Sequence, residues 1–237
     1  MDAERRQITV LFADVVGFTT FSERSGEEAA FTLMRQLAKL TDETALNIKG
    51  CVLILLRRTD EGLALLETFR RRCFADGDLY SLSTSDAILG VAKVIQGNIG
   101  EGIRLLEEAI SKRESEGYRA AADWYRLFLG EVYLQIIEGN EKLPFTTLLR
   151  NLPILLRVMG TASSRIRTLM THVLANPRFH PDGHVTGRAQ MILGLLYKAK
   201  NRPTAAMEHL IEATRILSQF GQTPMLTRID AALAELK

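Results

Sequence analysis

This 237-residue chain has almost no cysteine, and its two thiols, Cys51 and Cys73, form neither a Cys-x-x-Cys pair nor a zinc spacing. That argues against a disulfide framework and fits buried thiols in a reducing compartment. No apolar run approaches the roughly 18 residues of a membrane span. The charged start, Met-Asp-Ala-Glu-Arg-Arg, is not followed by the apolar core of a signal peptide, so a cytoplasmic location is expected. An excess of one charge is missing too, since 30 Lys and Arg against 28 Asp and Glu leave a formal +2. That balance disfavours nucleic acid and anionic membrane as partners. There is no P-loop, no Gly-x-Gly-x-x-Gly and no Ser/His/Asp set, and no Pro/Gly/Ser-rich linker divides the chain.

What is present is ordinary globular composition, 46% apolar and 24% charged, patterned almost everywhere for helix. Strand character occurs once, at 7–16. Between 27 and 48, Ala30, Phe31, Met34, Leu37, Ala38, Leu40, Thr41, Ala45 and Ile48 fall on one helical face. Lys49-Gly50 is the expected stop. Beyond it the chain repeats. "EGLALLE" at 61–67 returns as "EGIRLLE" at 101–107, 40 residues on. Each copy follows a turn (Arg58-Thr59-Asp60, then Gly97-Asn98), and each turn follows an apolar helix, at 52–56 and 87–95. A weaker copy, "AAMEHLIEA" at 205–213, follows the turn Asn201-Arg202-Pro203 and the helix "MILGLLYKA". A helix-turn-helix unit at this period marks an α-solenoid, in which each pair buries its apolar face on its neighbours. The register puts Leu65, Leu66, Leu105 and Leu106 at equivalent buried sites. A longer helix spans 118–140, and "NLPILLRV" reads as a helix with Pro153 in its first turn.

The strand ends on an acid, Asp14, before Gly17, Phe18 and Thr19. The stretch "RRQITVLFADVVGFTTFSE" at 5–23 resembles the start of a class III adenylate or guanylate cyclase domain. The resemblance implies that Asp14 binds two divalent ions, Mg²⁺ or Mn²⁺, with help from the Val15 carbonyl. It also implies that the backbone amides of Gly17, Phe18 and Thr19 cradle the phosphates of ATP or GTP. Hard cations of this kind suit carboxylate oxygens, and a metal pair suits an in-line displacement. The family then needs a β-hairpin with a second metal-binding Asp, purine-reading side chains and a transition-state cation. After Gly50 this chain is helical instead. Asp76-Gly77-Asp78 mimics the missing turn, but helical flanks make it an inter-helix turn. Residues 51–237 resemble the tetratricopeptide-like C-terminal region of cyclase-TPR proteins, with "EGYRAAADWYRLFLGEVYLQI" and "RILSQFGQTPML" the most characteristic pieces. The chain thus looks like the two ends of a larger protein joined near Gly50.

Several other residues of chemical interest fit structural roles. His180 and His184 flank Pro181-Asp182-Gly183, which breaks the helix that would pair them on a metal. His172 and His209 sit singly in helical patterns. Arg70, Arg71 and Arg72 before Cys73 suit a helix end. Trp124, Phe128 and Tyr133 form a stripe better suited to packing than to a ligand.

The expectation is a mainly α fold: a truncated cyclase remnant over 1–50 and a tetratricopeptide-like array of helical hairpins over 51–237. The lone strand either lies against helices or pairs with a second copy in a weak homodimer. Three functions stay open. One is a non-catalytic interaction scaffold that takes a protein or peptide and needs no cofactor. Another is a cyclase making a cyclic nucleotide with two metal ions, completed in trans by another chain. The third is a deletion product whose helices simply fold.

Overall fold

Backbone with positive φ recurs at Arg57, Gly77, Gly97 and Gly117, twenty residues apart. Each of these residues closes a helix in the same way. The amide of the residue after it donates back across the turn, from Arg58 to Leu53 O, Asp78 to Cys73 O, Asn98 to Lys93 O and Tyr118 to Arg113 O, at 2.8–2.9 Å. A left-handed residue followed by this bond satisfies two end carbonyls and reverses the chain. The sequence repeat is therefore a repeat of helix terminators as much as of leucines.

The structure is a computed structural model, and it describes residues 27–78, 81–82, 85–139, 145–221 and 223–236. These residues contain α1 (Glu27–Leu55), α2 (Thr59–Asp76), α3 (Asp86–Ile95), α4 (Ile99–Ser115), α5 (Arg119–Glu138), α6 (Phe145–Met159), α7 (Ala162–Leu174), α8 (His184–Ala199), α9 (Pro203–Leu217) and α10 (Thr223–Ala234). A single 3₁₀ turn, Ser218–Phe220, follows α9, and no strand occurs among the described residues. The fold is mainly helical, as the apolar periodicity requires. No described helix is long and apolar enough to cross a membrane.

The chain divides into two compact units, Met1–Ala45 and Leu46–Lys237. Of the first, only 27–45 is described, as helix, with Glu28, Thr32 and Asp42 exposed. The second holds the hairpins. In α3–α4, Gly90 and Gly102 face one another, and in α1–α2, Gly50 and Gly62 do the same. A Cβ added at Gly102 would lie 2.6 Å from Gly90 O, and one at Gly62 would lie 2.7 Å from Gly50 O. The third copy, α8–α9, keeps Gly194 twelve residues before Ala206, as Gly50 precedes Gly62 and Gly90 precedes Gly102. Its turn carries positive φ at Asn201, with the Arg202 amide on Tyr197 O at 3.0 Å. Three hairpins thus share one register, and small residues let their backbones approach.

Around the α3–α4 hairpin, α5 packs on α4, α7 on α5, and α8 on both α5 and α7, with α9 and α10 following. The main core gathers Leu106, Leu127, Tyr133, Ile166, Met170, Ile192 and Leu196, all essentially without exposure. A smaller cluster joins Ile54 and Leu66 to Ile88 and Ala92. Helix α6 touches α4, α5 and α7. Its buried Asn151 accepts the Ile99 amide at 3.0 Å and donates to Gly97 O and Thr147 O, each at 2.7 Å.

Three expectations are corrected. The helix does not stop at Lys49-Gly50. It runs to Leu55, and Gly50 is a buried mid-helix position against Leu66. Pro153 is not in a first turn, because α6 starts at Phe145. Proline leaves the Leu149 carbonyl without its helical donor. Both residues are exposed, so water can serve that carbonyl. Finally, Leu66 and Leu106 are fully buried, whereas Leu65 and Leu105 are only half-buried.

Candidate functional site

Helices α4, α5 and α7 each set two polar side chains seven residues apart into one cleft of about 400 Å³. They are Glu107 and Glu114, Arg126 and Tyr133, Arg165 and His172. Seven residues are two helical turns, so each pair shares a face and is separated by about 10.5 Å along its helix. Because α5 runs opposite to both α4 and α7, Glu107 meets Tyr133 and Arg165 at one end, and Glu114 meets Arg126 at the other. Ile110, Leu129 and Leu169 line the space between.

At the first station the Tyr133 hydroxyl donates to Glu107 Oε1 at 3.0 Å. Arg165 Nη1 donates to the same oxygen at 2.6 Å and to the tyrosine oxygen at 2.7 Å. Its guanidinium also lies over the Tyr133 ring, 5.7 Å from the centroid. Burial, reinforced by the Glu107 charge, pushes the phenol up to about 12. At the second station the buried Arg126 bonds Glu114 and donates to Asp123 Oδ1. Asn176 Nδ2 donates to the other Asp123 oxygen. The cleft carboxylates already hold arginines, and Tyr133 keeps its proton throughout the neutral range. This arrangement recognises charge and hydrogen bonds; it is poorly placed to move protons.

The residues singled out in the sequence lie elsewhere. Asp14, Val15, Gly17, Phe18 and Thr19 fall outside the described residues, as does the strand at 7–16. Asp76-Gly77-Asp78 is an inter-helix turn, with Gly77 left-handed and Asp78 Oδ1 accepting the Ser81 amide at 3.0 Å. His180 is exposed, and its Nδ1 accepts the Asp182 amide at 3.1 Å. His184 instead opens α8 and stacks on Trp124 at 6.1 Å, where burial, then Arg188, lowers its pKa. His209 stacks on Tyr197 at 5.3 Å and bonds Gln190. No group of three or more His, Cys, Asp or Glu suited to a metal occurs among the described residues. Arg70 is not at a helix end, since α2 continues to Asp76. It ties α2 to α3 through Ser85 Oγ and Asp86, each at 2.6 Å.

Sequence reading picked out Tyr133 but missed Glu107, Arg126 and Arg165. Apart from the local Asp123–Arg126 pair, their partners are 12 to 58 residues away, beyond any local pattern. The signal available was the shared seven-residue spacing. No protein-family model matches the chain, and no curated protein sequence matches it.

Proposed function

We propose that this chain is a non-catalytic protein-interaction module, a tetratricopeptide-like array of helical hairpins derived from a cyclase-TPR signalling protein, and that its α4–α5–α7 cleft takes an extended peptide. The carrying observation is the pair of polar stations two helical turns apart with an apolar floor between them. An extended chain advances about 3.3 Å per residue, so a peptide's side chains at i and i+3 span that separation. The half-exposed Arg165 offers a peptide carboxylate a cation, and Glu114 offers a peptide lysine or arginine an acceptor. The three hairpins in one register support the repeat-array part of the reading, because stacked helical pairs present extended binding surfaces. The resemblance at 5–23 supports the cyclase ancestry, with Asp14 and its neighbours vestigial.

A peptide library displayed against the whole chain tests this. Enriched sequences should carry opposite charges three residues apart, and Arg165→Glu should abolish their binding. Peptides that bind Arg165→Glu as well as wild type would refute the cleft. In parallel, the purified chain should make no cyclic nucleotide from ATP or GTP with Mg²⁺ or Mn²⁺. Product that disappears in Asp14→Ala would overturn the non-catalytic reading.

A further inference from the structure

Helix α6 is apolar on two sides. Its inner side, with Asn151, Ile154, Leu155 and Val158, packs against the bundle. Its outer side presents Leu149, Leu152, Leu156 and Met159, which are between 47% and 66% exposed. Their spacing of three, four and three residues is that of a single helical stripe, about 15 Å long. Isolated exposed leucines mean little, but four in line form a contiguous apolar surface that water does not favour.

The stripe leads into a charged feature. Met159, at its C-terminal end, also lines a second cleft of about 380 Å³ with Arg167, Lys200 and Arg202. No carboxylate among the described residues pairs with any of these three cations. Ser163 Oγ, which lines the same cleft, is buried and has no hydrogen-bond partner among the described residues. The surrounding sequence is as one-sided as the cleft. Residues 142–207 carry ten Lys and Arg against one carboxylate, Asp182, within a chain of formal charge +2. Carboxylates from elsewhere in the chain pair with three of these cations, Arg165 with Glu107, Arg188 with Glu131 and Lys198 with Glu235, so the unpaired charge is concentrated in the cleft.

We propose that the outer face of α6 and the basic cleft at its C-terminal end form a docking surface for an acidic amphipathic helix of another protein. Leucines of the partner cover the stripe, and a cluster of its carboxylates enters the cleft. Charge complementarity selects this occupant, because three uncompensated cations at one end of an apolar stripe match a helix with an apolar face and an acidic end. A lipid surface fits less well. Helices that lie in a membrane carry their cations along both flanks of the apolar face; α6 has exposed arginines, Arg150 and Arg157, on one flank only, and the three unpaired cations are gathered in a recess beyond its end. The basic cleft adjoins the α4–α5–α7 cleft at Ser164, which lines both, but its docking role does not depend on that cleft binding a peptide.

The test uses two fluorescent helical peptides of about four turns, each with leucines at i, i+3, i+7 and i+10. One has its glutamates at the N-terminal end and the other at the C-terminal end. Vesicles containing phosphatidylserine are the competing probe. At least one peptide should bind the full chain, and added salt should weaken it. Leu152→Asp with Leu156→Asp should lower affinity about ten-fold or more, and so should Arg167→Glu with Lys200→Glu, since both pairs alter the docking face. All four residues are at or near the surface, so circular dichroism should show unchanged helicity. Arg165→Glu should leave this binding intact, which separates its failure from that of the cleft reading. Failure of both peptides to bind, binding indifferent to both variant pairs, or vesicle binding without peptide binding would each overturn the proposal.

Discussion

The α3–α4 hairpin allows one substitution to be tried at two nearby positions with opposite expected outcomes. Gly100 and Gly102 both lie in α4, one turn or less from its start. An alanine at either gains helix propensity and limits the unfolded chain, an effect of roughly 0.4–1 kcal/mol. At Gly100 the new Cβ would meet only Ile154 side-chain atoms, the nearest at 3.6 Å, an ordinary contact. At Gly102 it would meet Val94 Cγ2 at 2.5 Å, Gly90 O at 2.6 Å and Val94 N at 3.0 Å. Val94 Cγ2 can rotate away. The carbonyl and the amide belong to the α3 backbone and yield only if the helices separate. Overpacking of this kind costs typically 1–3 kcal/mol, which outweighs the propensity gain. Gly100→Ala should therefore raise the urea midpoint slightly, and Gly102→Ala should lower it, by a net loss of about 1–2 kcal/mol with an unchanged m-value. Equal stabilisation by both would mean that the helices do not approach at Gly90 and Gly102, and the shared hairpin register would fall with that contact.

Three further outcomes are expected. Leu106→Ala should cost about 2–5 kcal/mol, the range for truncating a buried leucine, while half-buried Leu105→Ala costs clearly less. Equal losses by denaturant titration would refute the assigned faces of α4. Arg57→Gly should stabilise by about 1 kcal/mol, because Arg57 has φ 65° where the equivalent turn has Gly97 and a side chain there is strained. A loss in thermal unfolding would argue against that turn. Tyr133 holds its proton up to about 12 in the folded chain, against about 10 when unfolded. Its contribution is thus fully present below pH 10 and lost as pH rises through 12. Wild type should lose stability over that window more steeply than Tyr133→Phe, and parallel curves would contradict the part-buried Glu107–Tyr133 contact.

The helical hairpins were legible because their determinants are local. A left-handed terminator, a small residue at fixed distance and an apolar face all lie within about 20 residues, and Asn201 serves where a strict glycine pattern fails. The errors have local causes as well. Gly50 after Lys49 imitates a helix stop, yet its missing Cβ serves the approach of α2. Adjacent leucines such as Leu105 and Leu106 differ by about 100° around the helix, and a repeat register alone does not say which one faces inward. The cleft was less legible. Tyr133 stood out as an aromatic, but its role depends on Glu107 and Arg165 brought in from other helices. The basic cleft was hidden for a different reason: Arg167, Lys200 and Arg202 come from two separate stretches of sequence and meet only in the fold.

The orientation of α6 connects these observations. An amphipathic helix with apolar residues on two sides could in principle bury either. Asn151 decides between them. Turned inward, its amide satisfies the Ile99 N–H and the Gly97 carbonyl at the α3–α4 turn, and Arg150 adds a second donor to that carbonyl at 2.8 Å. Rotating α6 by about 120° to hide Leu152 and Leu156 would strip this turn of the amide partner. Each buried polar group left unsatisfied costs roughly 1–3 kcal/mol, and the rotation would also expose Ile154 and Val158. The hydrogen bonds that lock α6 onto the hairpin therefore hold its second apolar side toward solvent. The exposed stripe follows from a satisfied polar contact on the opposite face, so it is a fixed feature of the native packing and remains available to a partner.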